Sequence, residues 1–278
     1  MTSTPPTGRD GVADDGVFDT VREAYDAVYD ALPQSTTFND VWRANAYRGE
    51  FPEEFAHVGF LTLDEGRRLV DLIAIDEGDV LVDLACGAGG PGLWVAKQTG
   101  ATLIGIDPSA TGIHAAKARA ERVGLATRAS FRQGTFEQTG LPDAAADAVM
   151  TIEAFQYAPD KRAAFAEFDR ILRPGGRVAI VCFEVDPTKT DGVPVLGVDP
   201  IADYAPLLED AGFAIDVYEE TPDWESRVYG AFGALVEAAD DLTGDIGERA
   251  AAGALAEAML NVQVKPYPRR VLVVARRV

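Results

Sequence analysis

From about residue 79 onward, short apolar runs alternate with helical segments, and the first junction between them reads VLVDLACGAGGPG, residues 80 to 92. The spacing predicts strands at 80–84, 102–107, 129–133, 148–152 and 177–183. Helices are expected between them at 92–98, 109–123 and 161–171. Strands that alternate with helices in this way form βαβ units and therefore a parallel sheet. The RPGG at 173–176 reads as a helix stop and tight turn ahead of the fifth strand.

The flanks follow a different pattern. Val17, Val21, Ala24, Tyr25 and Val28 recur at helical spacing, which predicts a helix over 17–32. A second helix is expected at 63–73, with Thr62 as N-cap and Glu65 three residues on as its capping-box partner. Between them FNDVWRANAYRGEFPEEFAHVGF, residues 38–60, reads clearly as neither helix nor strand. Late strands are expected at 213–219 and 271–275, separated by helical stretches at 224–242 and 248–262. Such an insertion is too long for a hairpin and is suited to covering one end of the sheet.

The expected organisation is a disordered lead (1–16), a helical lid (17–75), a core (76–222), a helical insertion (223–268) and a last core strand (269–278). The fold class is α/β: a Rossmann-like, seven-stranded, mostly parallel sheet with helices on both faces, plus the lid and the insertion before the last strand.

A formal net charge of −20 repels phosphate backbones and anionic membrane surfaces, which argues against nucleic acid and membranes as partners. No run approaches the roughly 20 apolar residues of a transmembrane helix. The polar start MTSTPPTGRDGVADDGVFD lacks the basic region and apolar core of a secretion signal. Two cysteines, both in strand-like runs, make neither a disulfide framework nor a metal site. The expectation is therefore a cytoplasmic protein with no metal, acting on a small molecule, with a homodimer possible.

Gly87, Gly89 and Gly92 spell G-x-G-x-x-G directly after a strand and at the start of a helix, and Asp107 ends the next strand. In that context the glycines let backbone approach a nucleotide, while the carboxylate accepts from ribose hydroxyls. The ligand is then either a nicotinamide or flavin dinucleotide or an adenosyl group without pyrophosphate. Asp83 bears on the choice. A carboxylate four residues before the first glycine suits a ligand with a nearby ammonium and would repel a pyrophosphate.

VDLACGAGGPG resembles motif I, D/E-x-G/A-C-G-x-G, of the class I S-adenosylmethionine-dependent methyltransferases. LIGIDPSATGIHAAKARA looks like the second motif, and FRQGTFEQTGLPDAAADAVMTIEAFQYAPDKRAAFAEFDRILRPGGRVAIV is similar to the next three in order and spacing. The likeness covers residues 79 to 183, and the flanks resemble the small-molecule branch common in secondary metabolism.

The resemblance implies S-adenosylmethionine as cofactor. Asp83, with backbone at Ala85, Gly87 and Gly89, is implied at its methionine end, Asp107 at the ribose and Pro108 against the adenine. Where the family usually shows Gly-Asp after the third strand, this chain has Gly134-Thr135. Thr135 is the poorer acceptor for the adenine amino group, so the Phe136 backbone or Glu137 is expected to share that duty. The Phe136 ring either packs on the adenine or belongs to the core. Tyr25 and Tyr29 either reach over the cofactor or only pack their helix.

Three residues are candidates at the reacting centre. Tyr157 stands where many relatives carry a His, and an unperturbed phenol, with a pKa of about 10, is a poor base at neutral pH. Glu153 either contacts cofactor or acceptor or caps a helix. His57 either acts as base or acceptor-orienting group or is a satisfied lid histidine, while His114 reads as surface. Trp42, Tyr47, Phe51, Phe55 and Phe60 read as lid core or as walls against the acceptor and the sulfonium.

The expected activity is methyl transfer to the O, N or C of a small organic metabolite, by in-line displacement in a lidded pocket. Three alternatives remain: a non-methylating S-adenosylmethionine-dependent cyclase or rearrangement enzyme, an NAD-dependent oxidoreductase, and a non-catalytic adenosyl-binding regulator.

Overall fold

Seven strands make one sheet: β1 (Val80–Leu84), β2 (Thr102–Asp107), β3 (Ala129–Gln133), β4 (Ala146–Ile152), β5 (Leu172–Phe183), β6 (Phe213–Glu220) and β7 (Arg270–Arg277). The computed structural model describes residues 15–190 and 199–278. The strand order is β3-β2-β1-β4-β5-β7-β6. β1 to β5 are parallel, and β7 runs antiparallel between β5 and β6.

The central strands are buried on both faces, so neighbouring residues serve opposite cores. Leu81, Met150 and Ala179 face one layer, with Leu69 and Ile73 of α3 (Leu63–Ile73), Trp94 of α4 (Gly90–Thr99) and Ala116 of α5 (Ala110–Arg122). Val82, Val149 and Val178 face the other, with Phe165 and Phe168 of α6 (Lys161–Ile171) and Leu208 of α7 (Ala205–Asp210). The capping box of α3 is formed as expected: Glu65 N–H donates to Thr62 Oγ1 at 3.2 Å, and Thr62 N–H donates to Glu65 Oε2 at 2.8 Å.

A third apolar cluster joins the two flanks. It combines Phe38 and Trp42 of α2 (Thr36–Trp42) with Trp224, Phe232 and Leu235 of α8 (Trp224–Glu237), Leu242 of α9 (Ala239–Ile246) and Ala254 and Ala258 of α10 (Glu248–Val264). The helix α1 (Asp15–Ala31) packs against both α5 and α10. Arg227 ties the flanks covalently distant from each other, donating to the carbonyls of Ala46 at 3.1 Å and Phe60 at 2.6 Å.

Several details differ from the sequence reading. The aromatic stretch is helical at its start: Ser35 caps α2 by accepting from Phe38 N–H at 3.0 Å, and a π turn at Arg43–Tyr47 follows. The insertion holds three helices, broken at Ala238 and at Gly247, whose φ of 80° suits only glycine. β5 begins at Leu172, which pairs with Ala146 across a register shift, so the RPGG turn lies inside the strand segment. Cys86 lies in the turn after β1. Of the expected lead, residues 1–14 lie outside the described residues, and Asp15 already opens α1. Among the described residues no helix is long and apolar enough to cross a membrane, and no cluster of three His, Cys, Asp or Glu side chains is arranged to hold a metal ion.

Candidate active site

A cavity of about 410 Å³ opens at the C-terminal ends of β1, β2 and β4, beneath the helices of the two flanks. This is where parallel α/β sheets place their ligands. Its floor carries Asp83, Ala85, Gly87, Asp107, Pro108 and Thr135.

The turn after β1 is wound through left-handed backbone at Ala85 (φ 56°), Gly87 (φ 51°) and Gly89 (φ 79°). Such a conformation costs an ordinary residue on the order of 1–2 kcal/mol, which marks Ala85 as held by its surroundings. The coil turns Gly87 N–H onto Asp107 Oδ2 at 2.8 Å, while Ser109 N–H donates to Asp107 Oδ1 at 2.8 Å. Burial nonetheless pushes the Asp107 carboxyl up to about 6, against these two bonds. Asp83 is buried with Oδ2 lacking any hydrogen-bond partner, and burial together with the charge on Asp107 raises its pKa well above the usual range, against a backbone hydrogen bond from Gly92. Gly92 permits this, because a Cβ there would sit 2.4 Å from Asp83 Oδ2.

Tyr29 lies against the turn, its hydroxyl 2.5 Å from where a Gly87 Cβ would be. Tyr25 stands beside it, the ring centroids 5.8 Å apart, and both line the cavity. Thr135 also lines the cavity, its hydroxyl accepting from Gln138 N–H at 3.2 Å. The Phe136 ring is buried edge-to-face against Phe155 at 5.4 Å and touches the cavity from that core. Gly89 departs from expectation. It does not line the cavity; it caps α4 and packs closely on Ala116 and Phe131.

Of the two readings of His57, the structure shows the satisfied lid histidine. His57 Nδ1 accepts from Gly59 N–H at 3.1 Å, which leaves Nε2 to donate to the Leu61 carbonyl at 3.0 Å. Burial pushes its pKa down to about 3. With both ring nitrogens given to backbone and edge-to-face contacts to Tyr47 and Phe55, His57 staples the lid turn and cannot take a proton from an acceptor.

Glu153 is committed as well. It follows β4 in left-handed backbone (φ 54°), its Oε1 lies 2.6 Å from Arg270 Nη2, and its Oε2 accepts from Phe60 N–H. It lines the cavity as a fully paired carboxylate, so it orients its surroundings and is no base. Its predicted alternative, a helix cap, is not what the structure shows either. Tyr157 lines the cavity, but burial pushes its phenol up to about 12, so it stays protonated. His114 does not reach the cavity.

Several lining residues escaped the sequence reading, among them Asn39, Gln156, Phe183, Glu257 and Tyr267. For Glu257 a signal existed: Ala254, Glu257, Ala258 and Asn261 share one face of α10, and Ala254, Ala258 and Asn261 are buried. A charged residue on the inward stripe of a helix is informative.

A Rossmann-like sheet with a glycine turn, an acidic residue closing β2 and an orphaned carboxylate on β1 defines an adenosyl-binding domain of the methyltransferase type. Comparison with known proteins agrees: residues 82–180 match the family described as "Methyltransferase domain". Over residues 82–180 the chain therefore carries a methyltransferase domain.

Among relatives, sterol 24-C-methyltransferase erg6 of Aspergillus fumigatus is 42% identical over 94 residues, which is 34% of this chain and 25% of that protein. The chain thus spans about a quarter of that relative's length. The 27-O-demethylrifamycin SV methyltransferase of Amycolatopsis mediterranei is 28% identical over 220 residues, 73% of this chain and 79% of that one.

Two solved structures share the fold. One is geranyl diphosphate C-methyltransferase of Streptomyces coelicolor, in complex with S-adenosyl-L-homocysteine (TM-score 0.64, 17% identity, 96% of this chain and 100% of that one). The other is the 4+2 cyclase SpnF (TM-score 0.67, 19% identity, 92% of this chain and 94% of that one).

Proposed function

We propose that this chain transfers a methyl group from S-adenosylmethionine to the O, N or C of a small, largely apolar organic molecule. The observation that carries the cofactor assignment is Asp83, a buried carboxylate lining the cavity floor whose Oδ2 has no hydrogen-bond partner. An unpaired buried charge is costly, and a ligand ammonium placed there would relieve that cost.

The remaining donor set fits the same group. Each Asp107 oxygen accepts one backbone N–H and retains a lone pair for a ribose hydroxyl. Pro108 and Phe136 offer apolar surface to an adenine, with Thr135 at its edge, and Tyr25 and Tyr29 close the site from α1. Bound there, the cofactor would supply an electrophilic methyl on a sulfonium.

What the chain itself supplies is alignment and exclusion of water, which account for much of the rate of a simple displacement. The outer half of the cavity is walled by Val28, Leu32, Trp42, Phe60, Phe232 and Leu235, which suits an acceptor with an apolar body. The named relatives act on sterols and on a rifamycin, as their names state, which supports the same substrate class.

A non-methylating reaction on the same cofactor site is the second reading. The SpnF likeness extends over nearly the whole chain, and His57, Glu153 and Tyr157 are all unsuited to act as bases. Methyl-labelled S-adenosylmethionine and a panel of small metabolites separate the readings. Labelled product with release of S-adenosylhomocysteine supports transfer; a converted, unlabelled product of unchanged mass supports cyclisation or rearrangement.

A further inference from the structure

Glu257 faces into the outer half of the cavity from α10. Among the described residues, no hydrogen bond or ion pair reaches its carboxylate, and burial raises its pKa above the usual carboxylate value. Three tyrosines line the cavity with it: Tyr25 from α1, Tyr157 from the turn after β4, and Tyr267 from the segment ahead of β7.

These side chains form one cluster. The hydroxyls of Tyr25 and Tyr267 both interact with that of Tyr157, and all three phenols feel the Glu257 charge. The Tyr25 and Tyr157 rings meet edge-on at 6.2 Å, and Tyr267 is stacked on Phe183 at 4.2 Å, so none is free to swing away. All three phenols are held protonated by burial.

Four polar groups from four separate segments therefore converge in a chamber walled largely by apolar side chains. A carboxylate there is an acceptor with nothing to accept, which is unfavourable unless a ligand donor occupies it. Glu257 and Tyr267 take no part in the adenosyl site, whose Asp83 and Asp107 lie at the floor, and Tyr25 borders both regions of the cavity.

We infer that Glu257, with Tyr25, Tyr157 and Tyr267, is the polar anchor of the acceptor pocket and accepts a hydrogen bond from a hydroxyl or amine on an otherwise apolar acceptor. The inference rests on the methyl-transfer reading only in calling that ligand the acceptor. Glu257 is a positioning residue: it fixes which end of an apolar body points toward α10, and so which atom faces the cofactor.

The test uses matched probes on the full chain with S-adenosylhomocysteine present: 1-decanol, decylamine and decyl methyl ether, titrated by calorimetry. The ether has the body without the donor. The alcohol or the amine should bind about tenfold or more tightly than the ether, the effect of one hydrogen bond to a charged acceptor. Glu257→Leu should bring the three probes to within about twofold of each other. The isosteric Glu257→Gln should erase any amine preference and retain part of an alcohol preference, which tells the two donors apart.

Equal binding of all three probes, no binding of any probe, a donor preference that survives Glu257→Leu or an amine preference that survives Glu257→Gln would each overturn the inference. Binding of S-adenosylhomocysteine is measured in the same samples. Its failure in the unaltered chain would count against the methyltransferase reading, while the probe preference would still decide the anchor.

Discussion

Arg270 of β7 holds Glu153 at the cavity edge, with Nη2 2.6 Å from Oε1, and the guanidinium is completely buried. The same guanidinium binds Glu65 Oε1 at 2.7 Å and Thr221 Oγ1 at 2.8 Å, and Glu65 also pairs with Arg227 at 2.6 Å. The last core strand, the lid helix α3, the insertion helix α8 and the edge of the active site thus share one buried charge network. Arg270→Met leaves Glu65 with one partner fewer and Glu153 with none but backbone. Urea unfolding should show a loss of about 3–5 kcal/mol, the usual cost of stranding a buried charge.

His57 should be dispensable for chemistry. His57→Gln is expected to retain most of kcat, and the pH profile of kcat should have no limb belonging to this residue. Its effect is on stability: the folded pKa is about 3 against an ordinary value of 6.5. Between those values the unfolded chain binds a proton that the native state refuses. Stability therefore falls as pH drops from 6.5 toward 3, by up to about 1.4 kcal/mol per pH unit from this group. Denaturant midpoints for His57→Gln should decline less steeply across that window.

Asp107 should make cofactor binding pH-dependent in the opposite sense to apo-protein stability. Its folded pKa is about 6 against 3.8, so folding takes up a proton between those values. Its stabilising contribution is complete below 3.8 and is lost as pH rises through 6. Ribose hydroxyls prefer the ionised carboxylate, so the affinity for S-adenosylhomocysteine should tighten from pH 5 to 7. Asp107→Asn should weaken it by about 10–100-fold, the range for hydrogen bonds to a charged group.

Gly87→Ala should block the cofactor site by displacing Tyr29, since the new Cβ would lie 2.5 Å from the tyrosine hydroxyl. The left-handed φ adds roughly 1 kcal/mol of strain. Adding Tyr29→Ala to this variant should recover part of the lost S-adenosylhomocysteine affinity, as read by calorimetry. Failure to recover any would place the block in the backbone alone.

The core was readable because short apolar runs between helical segments and a glycine turn are local signals: β1, β2 and β3 have the bounds the spacing predicts. Asp83 and Asp107 were likewise legible, since each closes or occupies a strand at fixed distance from the glycines. The rest depends on contacts between residues far apart in the chain. Glu65 announced itself as a capping residue, but its pairing with Arg227 and Arg270 spans 162 and 205 positions. His57 stayed open between base and satisfied lid histidine for the same reason, because the Gly59 and Leu61 groups that consume its nitrogens are ordinary backbone with no signature. Glu257 was missed because α10 is rich in alanine, where a lone glutamate reads as solvated.

The most direct test is calorimetric titration of S-adenosylhomocysteine into the unaltered chain and into Asp83→Asn, with unfolding measured on both. The unaltered chain should bind, and Asp83→Asn should bind at least about tenfold more weakly. The apo variant should be at least as stable as the unaltered chain, because an unpartnered buried carboxylate is gone. Absence of S-adenosylhomocysteine binding, with a thermal shift from NAD instead, would contradict the account; so would equal affinity in Asp83→Asn.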